Sequence, residues 1–319
     1  MASLHSIKLL LIGLLVPLGQ VLATPSGFPE GGFNFTDEAP ALFARQFTGY
    51  DHCNPAQTNK IHQALQDAAV MARQHTRNRG AQTYQSSPAY NNYFQPNEFS
   101  VVNAMLNAIG QQWQAPPPGK PGAGSPVQLR QFTTHITCED SPVCRDASRG
   151  TSSYVVTDIK QAARNFVPSM RFCPLFFNPN EPRTKNNLDS LPYVQNPNRR
   201  QKSWCKPGNK FRDFEVAGTT VLHELTHLYE AGDRAGLASH PDGVGGQTKG
   251  TEDVYGTGHY STDPQTAARQ LHTDWVNAIK AKKPQKDRPH VPSNLNAESY
   301  AASATEWWFM SQCNLNSIA

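Results

Sequence analysis

Val221-Leu222-His223-Glu224-Leu225-Thr226-His227-Leu228 is the stretch on which the reading of this chain turns. It has the form H-E-x-x-H with apolar residues on both sides. In a helix, side chains four positions apart lie on one face, so His223 and His227 can offer two imidazole nitrogens to one metal ion. Glu224 projects beside that ion, where a carboxylate can hold and deprotonate a water without ligating the metal. Phe214, Val216, Val221, Leu222, Leu225 and Leu228 form an apolar stripe that no proline interrupts, which independently predicts a helix. The competing reading is a surface helix that carries two histidines by coincidence.

The rest of the chain bounds what such a helix belongs to. With 319 residues, 38% of them hydrophobic, it can bury one good core. Charged residues make up only 17%, and 25 prolines with 22 glycines suit a loop-rich exported domain better than a cytosolic one. A net charge of +4 lacks the clustered basic excess of nucleic-acid binders, so no nucleic-acid partner is expected. Lys8, the apolar run from Leu9 to Leu18 and the small-residue site Val21-Leu22-Ala23 read as an export signal, residues 1–23, cleaved after Ala23. That run is broken by Pro17 and is too short to span a bilayer. No later stretch is long and apolar enough to do so, which predicts a soluble, secreted mature chain with no membrane partner. A monomer is the default expectation.

Residues 24–50 read as an irregular leader or short pro-segment, with a glycosylation sequon at Asn34-Phe35-Thr36. Residues 51–319 are then one folded domain. Its six cysteines, Cys53, Cys138, Cys144, Cys173, Cys205 and Cys313, are even in number and never in C-x-x-C spacing. In an exported chain this predicts three disulfides rather than a thiolate metal site or redox pair.

Ile61, Leu65, Ala68, Ala69 and Ala72 predict a helix over 58–75 with Thr58 as its cap. A second helix is expected over 99–109, and Ala115-Pro116-Pro117-Pro118 reads as a loop. Strand candidates follow at 127–136, 153–157 and 170–177. Residues 178–212 form a long polar loop whose Arg183, Lys185, Arg199, Arg200, Lys202, Lys206 and Lys210 read as a solvated excursion, with Arg199-Arg200 a candidate processing site. Two helices close the chain, over 264–282 and 294–310. Trp307, Trp308 and Phe309 are expected in the core, as is a face of Leu271, Trp275 and Ile279.

A hydrolytic zinc needs three protein ligands and an open position. Candidates for the third ligand are Asp233, His240, Asp242, Asp253, His259, Asp263, Glu298 and Glu306. Asp253 stands out by its setting, Gly250-Thr251-Glu252-Asp253-Val254-Tyr255-Gly256, with glycines that let the backbone turn toward the helix. His240 and His259 lie close enough in sequence to stay alternatives. Tyr255 places a phenol near the carboxylate, where it can donate to a developing oxyanion.

With H-E-x-x-H and Gly250-Thr251-Glu252-Asp253 in hand, the chain resembles the deuterolysin-like zinc endopeptidases, or aspzincins, a mostly fungal and secreted family. One residue, Val254, separates Asp253 from Tyr255 where that family has two. The resemblance extends to Thr137-Cys138-Glu139-Asp140, to Arg171-Phe172-Cys173-Pro174 and to Asn296-Ala297-Glu298-Ser299-Tyr300. It covers roughly Cys53 to Cys313, with an enlarged loop before Cys205.

The resemblance implies an α+β, zincin-like fold, with helices packed against a small twisted sheet and the cleft between the sheet edge and the metal helix. It implies one Zn2+ held by His223, His227 and Asp253, with Glu224 as general base and Tyr255 assisting. It implies disulfides Cys53–Cys138, Cys144–Cys173 and Cys205–Cys313. Family members that cut before lysine have a second acid where this chain has Ala301. Glu298 alone therefore implies broad cleavage of protein or peptide substrates, with a basic preference after the scissile bond. Its alternative is a solvated carboxylate at a helix start. The alternative function is a secreted zinc-binding or surface-antigen protein that keeps the metal site without turnover.

Overall fold

The computed structural model describes residues 50–111, 134–146, 150–156, 168–241 and 247–319. The expected signal segment, the leader up to residue 49 with Asn34, the proline-rich stretch after residue 114 and the candidate ligand Asp242 lie outside them. Asn54 opens the first long helix, α1 (Pro55–Gln74), with a reciprocal cap. Its side chain accepts from the Gln57 N–H and the Gln57 side chain accepts from the Asn54 N–H, both at 2.9 Å. Pro55 loses nothing in the first turn by lacking an N–H. The cap is Asn54 and not Thr58, which lies inside the helix.

Along the chain follow β1 (Tyr50–Asp51) ahead of α1, then α2 (Pro88–Asn91), α3 (Phe99–Gly110), β2 (His135–Cys138), α4 (Pro142–Arg145), β3 (Ser153–Val156) and β4 (Ser169–Phe172). The second half holds α5 (Ala217–Thr226), α6 (Tyr229–Ala235), the pair β5 (His240–Pro241) and β6 (Gln247–Thr248), α7 (Pro264–Lys280) and α8 (Ala297–Cys313). Helices and a small mixed sheet are combined as an α+β architecture requires. The sheet runs β1-β2-β4-β3, with the first three strands parallel and β3 antiparallel on β4, Ser153 opposite Phe172. The strand expected over 170–177 stops at Phe172, because Pro174 offers no N–H to the ladder. A tight turn over 174–177 instead packs Phe176 edge-on to Phe172, with ring centroids 4.7 Å apart.

A close approach fixes α5 in the core. A Cβ on Gly218 would lie 2.5 Å from the Asp67 Cβ, so only glycine lets α5 settle this near α1. On the same helix Val221, Leu222 and Leu225 are buried with Leu228 just beyond, and Trp307 and Phe309 of α8 are fully buried as expected. Ile279 departs from expectation: it is 45% exposed, while Leu271 alone of its group is fully buried. The three disulfides pair Cys53–Cys138, Cys144–Cys173 and Cys205–Cys313, as the resemblance implies.

The 178–212 loop is not merely a solvated excursion. Trp204 is buried and donates its indole N–H to the Leu188 carbonyl, while the Leu188 N–H is bound by the Asp67 carboxylate of α1. Among the described residues, no helix is long and apolar enough to cross a membrane.

Candidate metal centre

His223 and Glu224 lie in the last turn of α5, and His227 is its C-cap. The third member comes from the loop after β6. A Cβ on Gly250 would fall 1.9 Å from the His227 carbonyl oxygen, so this loop can touch the helix end only through glycine. Gly256 has a different role, a left-handed φ of +69° that reverses the chain after Tyr255. Between them the Thr251 N–H donates to the Thr226 carbonyl at 3.0 Å. Glu252 exchanges two backbone hydrogen bonds with α8's entry: its N–H donates to Leu295 and its carbonyl accepts from Ala297. The loop is thus clamped between α5 and α8, and Asp253 is aimed at the histidines.

The three candidate ligand atoms converge. His223 Nε2 and His227 Nε2 are 3.0 Å apart, and Asp253 Oδ1 lies 3.3 and 3.2 Å from them. Ligands about 2.0 Å from a tetrahedral zinc sit roughly 3.3 Å from one another, so the spacing fits a zinc-sized ion. The other ring nitrogens determine the tautomers. His223 Nδ1 is 2.6 Å from Glu298 Oε1, and His227 Nδ1 is 2.8 Å from the Thr251 carbonyl oxygen. Against an ionised Glu298 and a carbonyl, both Nδ1 atoms must carry hydrogen. Two Nε2 lone pairs and a carboxylate oxygen then face one point, and a metal ion or a proton there removes the repulsion.

The ionisation equilibria say the same. Burial alone pushes the His223 imidazole down, but the Glu298 and Asp253 carboxylates reverse this and raise it to about 10. His227 is raised too, with Asp253 again outweighing burial. Asp253 itself is held well below the carboxylate range: burial raises it, and His227 and His223 more than reverse that. Without metal the site holds a proton instead.

Glu224 stands beside the triad, 4% exposed, and burial raises its pKa against the opposing pull of both histidines. The Ser153 hydroxyl, reaching across from β3, donates to its Oε1 at 3.0 Å. Tyr255 approaches edge-on, its ring centroid 6.5 Å from that of His223, so the phenol stays at the site despite the short spacing from Asp253. Burial keeps that phenol protonated well above neutral pH.

A cleft of about 630 Å³, counting its open mouth, runs from His223, Glu224 and Tyr255 along the first half of α5 toward Arg183 and Glu215. Ala301 and Ala302 line one wall.

Glu298 is not a solvated helix-start carboxylate; it is 4% exposed. One oxygen holds His223, and Oε2 is buried with no partner among the described residues. The remaining ligand candidates sit elsewhere: His240 bonds the Gly250 carbonyl and Glu252, and His259 pairs with Asp274. Glu306 is engaged by Arg269, and Asp233 by Lys249. Asp263 caps α7 through the Thr266 N–H.

Sequence reasoning missed Ser153, Arg183 and Glu215. Arg183 is held at the cleft by Glu181 Oε1 at 2.7 Å and the Gly150 carbonyl at 2.8 Å. Nothing in local sequence distinguishes it from the other basic residues of its loop. Burial pushes the Glu215 carboxyl up to about 7, with Asp263 adding to the effect and Arg183 opposing it. No family model, curated protein or solved structure matches the chain.

Proposed function

We propose that this chain is a secreted zinc-dependent endopeptidase with a zincin-like catalytic domain. The observation that carries the reading is the convergence of two imidazole lone pairs and one carboxylate oxygen at tetrahedral spacing, beside a buried carboxylate outside that set. His223, His227 and Asp253 would hold the ion, a two-nitrogen, one-oxygen set suited to zinc with a position left open. Bound zinc supplies a Lewis acid that makes water acidic near neutral pH and polarises a carbonyl.

This chain's own residues do the rest. Glu224 takes the proton as water oxygen bonds to the peptide carbonyl carbon, then delivers it to the leaving amine as the C–N bond breaks. Tyr255, kept protonated by its burial, donates to the carbonyl oxygen as charge develops there. The antiparallel edge strand β3 offers backbone groups to an extended peptide by strand addition. The cleft lining is acidic on balance, Glu215, Glu224 and Glu298 against Arg183, which supports broad cleavage with a basic preference after the scissile bond. Three disulfides support folding in an oxidising compartment.

The test combines metal analysis of the purified mature protein with casein cleavage in the presence and absence of a chelator. Glu224→Gln is expected to keep its zinc and lose roughly 10²–10⁴-fold in turnover, the range of general-base catalysis. Undiminished cleavage by that variant refutes the base assignment. A wild-type chain that holds zinc and cleaves nothing supports instead the metal-binding role without turnover.

A further inference from the structure

Glu224 is supported from outside the helix and loop that carry the triad, as His223 is by Glu298, but its support comes from the sheet. The Ser153 hydroxyl donates to Glu224 Oε1 at 3.0 Å, and no other donor meets that side chain among the described residues. An ionised carboxylate only accepts, so the direction of the bond is set. Both groups are buried, Ser153 at 7% exposure and Glu224 at 4%, so bulk water competes little for the bond.

From these contacts the geometry points to Ser153 as a positioning residue that holds Glu224 in the orientation required for proton transfer. The inference rests on the peptidase reading. Glutamate has three side-chain rotors, and helix packing alone does not fix the last of them. With Oε1 engaged, Oε2 is the oxygen left free to accept a proton. Ser153 also begins β3, the sheet-edge strand, and residues 150–153 line the cleft. A peptide paired along that edge and the base that activates its attacking water are therefore registered to one strand. A hydrogen bond from α5 itself would register the base to the helix alone.

Ser153→Ala removes one hydroxyl and adds no bulk. The expected result is a kcat about tenfold lower, with KM within twofold, zinc affinity by chelator competition unchanged and melting temperature nearly unchanged. Ser153→Thr, which restores a hydroxyl on the same Cβ, is expected to recover most of the kcat. Unchanged kcat in Ser153→Ala overturns the inference. So does a loss that appears only in KM, or one that tracks lost zinc or lost stability.

Crystal structures of the two proteins provide a readout independent of turnover. Glu224 is expected in one carboxylate orientation in the wild type and redistributed in Ser153→Ala; an identical orientation in both overturns the idea. Absence of chelator-sensitive cleavage in the wild type would remove the peptidase reading itself, and the crystal comparison distinguishes that outcome from a failure of Ser153 to hold the carboxylate.

Discussion

Metal uptake by this site should release protons, and the structure gives the size of the effect. His223 keeps a proton to about pH 10 in the metal-free chain, because the Glu298 and Asp253 carboxylates outweigh the cost of burying its charge. A metal can use Nε2 only after that proton leaves. At pH 7 the displacement spans about three pH units at 1.36 kcal/mol each, roughly 4 kcal/mol, or about a thousandfold in apparent affinity. Zinc affinity should therefore rise about tenfold per pH unit between pH 7 and 9 from His223 alone. His227 is raised too, and its proton adds to the dependence in the same direction.

The stability of the metal-free chain should move the opposite way. A histidine whose pKa is raised by folding stabilises fully below its unfolded value, near 6.5, and loses that contribution as pH rises toward the folded value. The metal-free melting temperature should accordingly fall between pH 6.5 and 10 while the increment added by zinc grows. Competition against a chromogenic chelator at several pH values measures the slope. Calorimetry in buffers of different ionisation enthalpy counts the protons released. A flat affinity with no proton release would show that the imidazoles are already neutral, and the electrostatic account of the triad would be wrong.

Two further perturbations separate the supports of the site. Glu298→Gln removes the charge facing His223 Nδ1 at 2.6 Å and should lower zinc affinity about 10- to 100-fold; an affinity within threefold of wild type would deny Glu298 this role. The same variant, profiled on a peptide library, should show a weaker basic preference, and an unchanged profile removes Glu298 from specificity. Gly250→Ala drives a Cβ to 1.9 Å from the His227 carbonyl and should abolish stoichiometric zinc binding. Gly256→Ala, strained only in φ, should cost roughly 1 kcal/mol and keep the metal; equal zinc retention in both variants would refute the close-approach argument.

Local pattern was enough for whatever depends on one turn of helix. His223 and His227 share a face because a helix repeats every 3.6 residues, and Glu224 must sit beside them. Val221, Leu222 and Leu225 face the core for the same reason. Asp253 was singled out as the candidate third ligand by its glycine-flanked setting and the family resemblance, yet its position depends on a clamp between α5 and α8 that spacing cannot reveal. Spacing likewise suggested that the glycines serve to turn the chain; the folded chain shows that Gly250 serves close approach and Gly256 the turn.

Other assignments were decided by tertiary structure alone. Glu298 begins a helix, where a carboxylate favours solvent, but α8 packs on α5 and buries it against His223. Ser153 is 71 residues from Glu224, and only the packing of the edge strand over α5 brings its hydroxyl to the carboxylate. Arg183 belongs to a run of basic residues with nothing local to single it out, and reaches the cleft because Trp204, Leu188 and Asp67 tie its loop to α1. Sequence determined which groups can ligate and which helix presents them, since helical periodicity is a property of neighbours. Contacts between distant segments chose the aim of Asp253, the partners of the ring nitrogens and the support of the Glu224 carboxylate, because burial and long-range hydrogen bonds exist only once the chain has closed on itself.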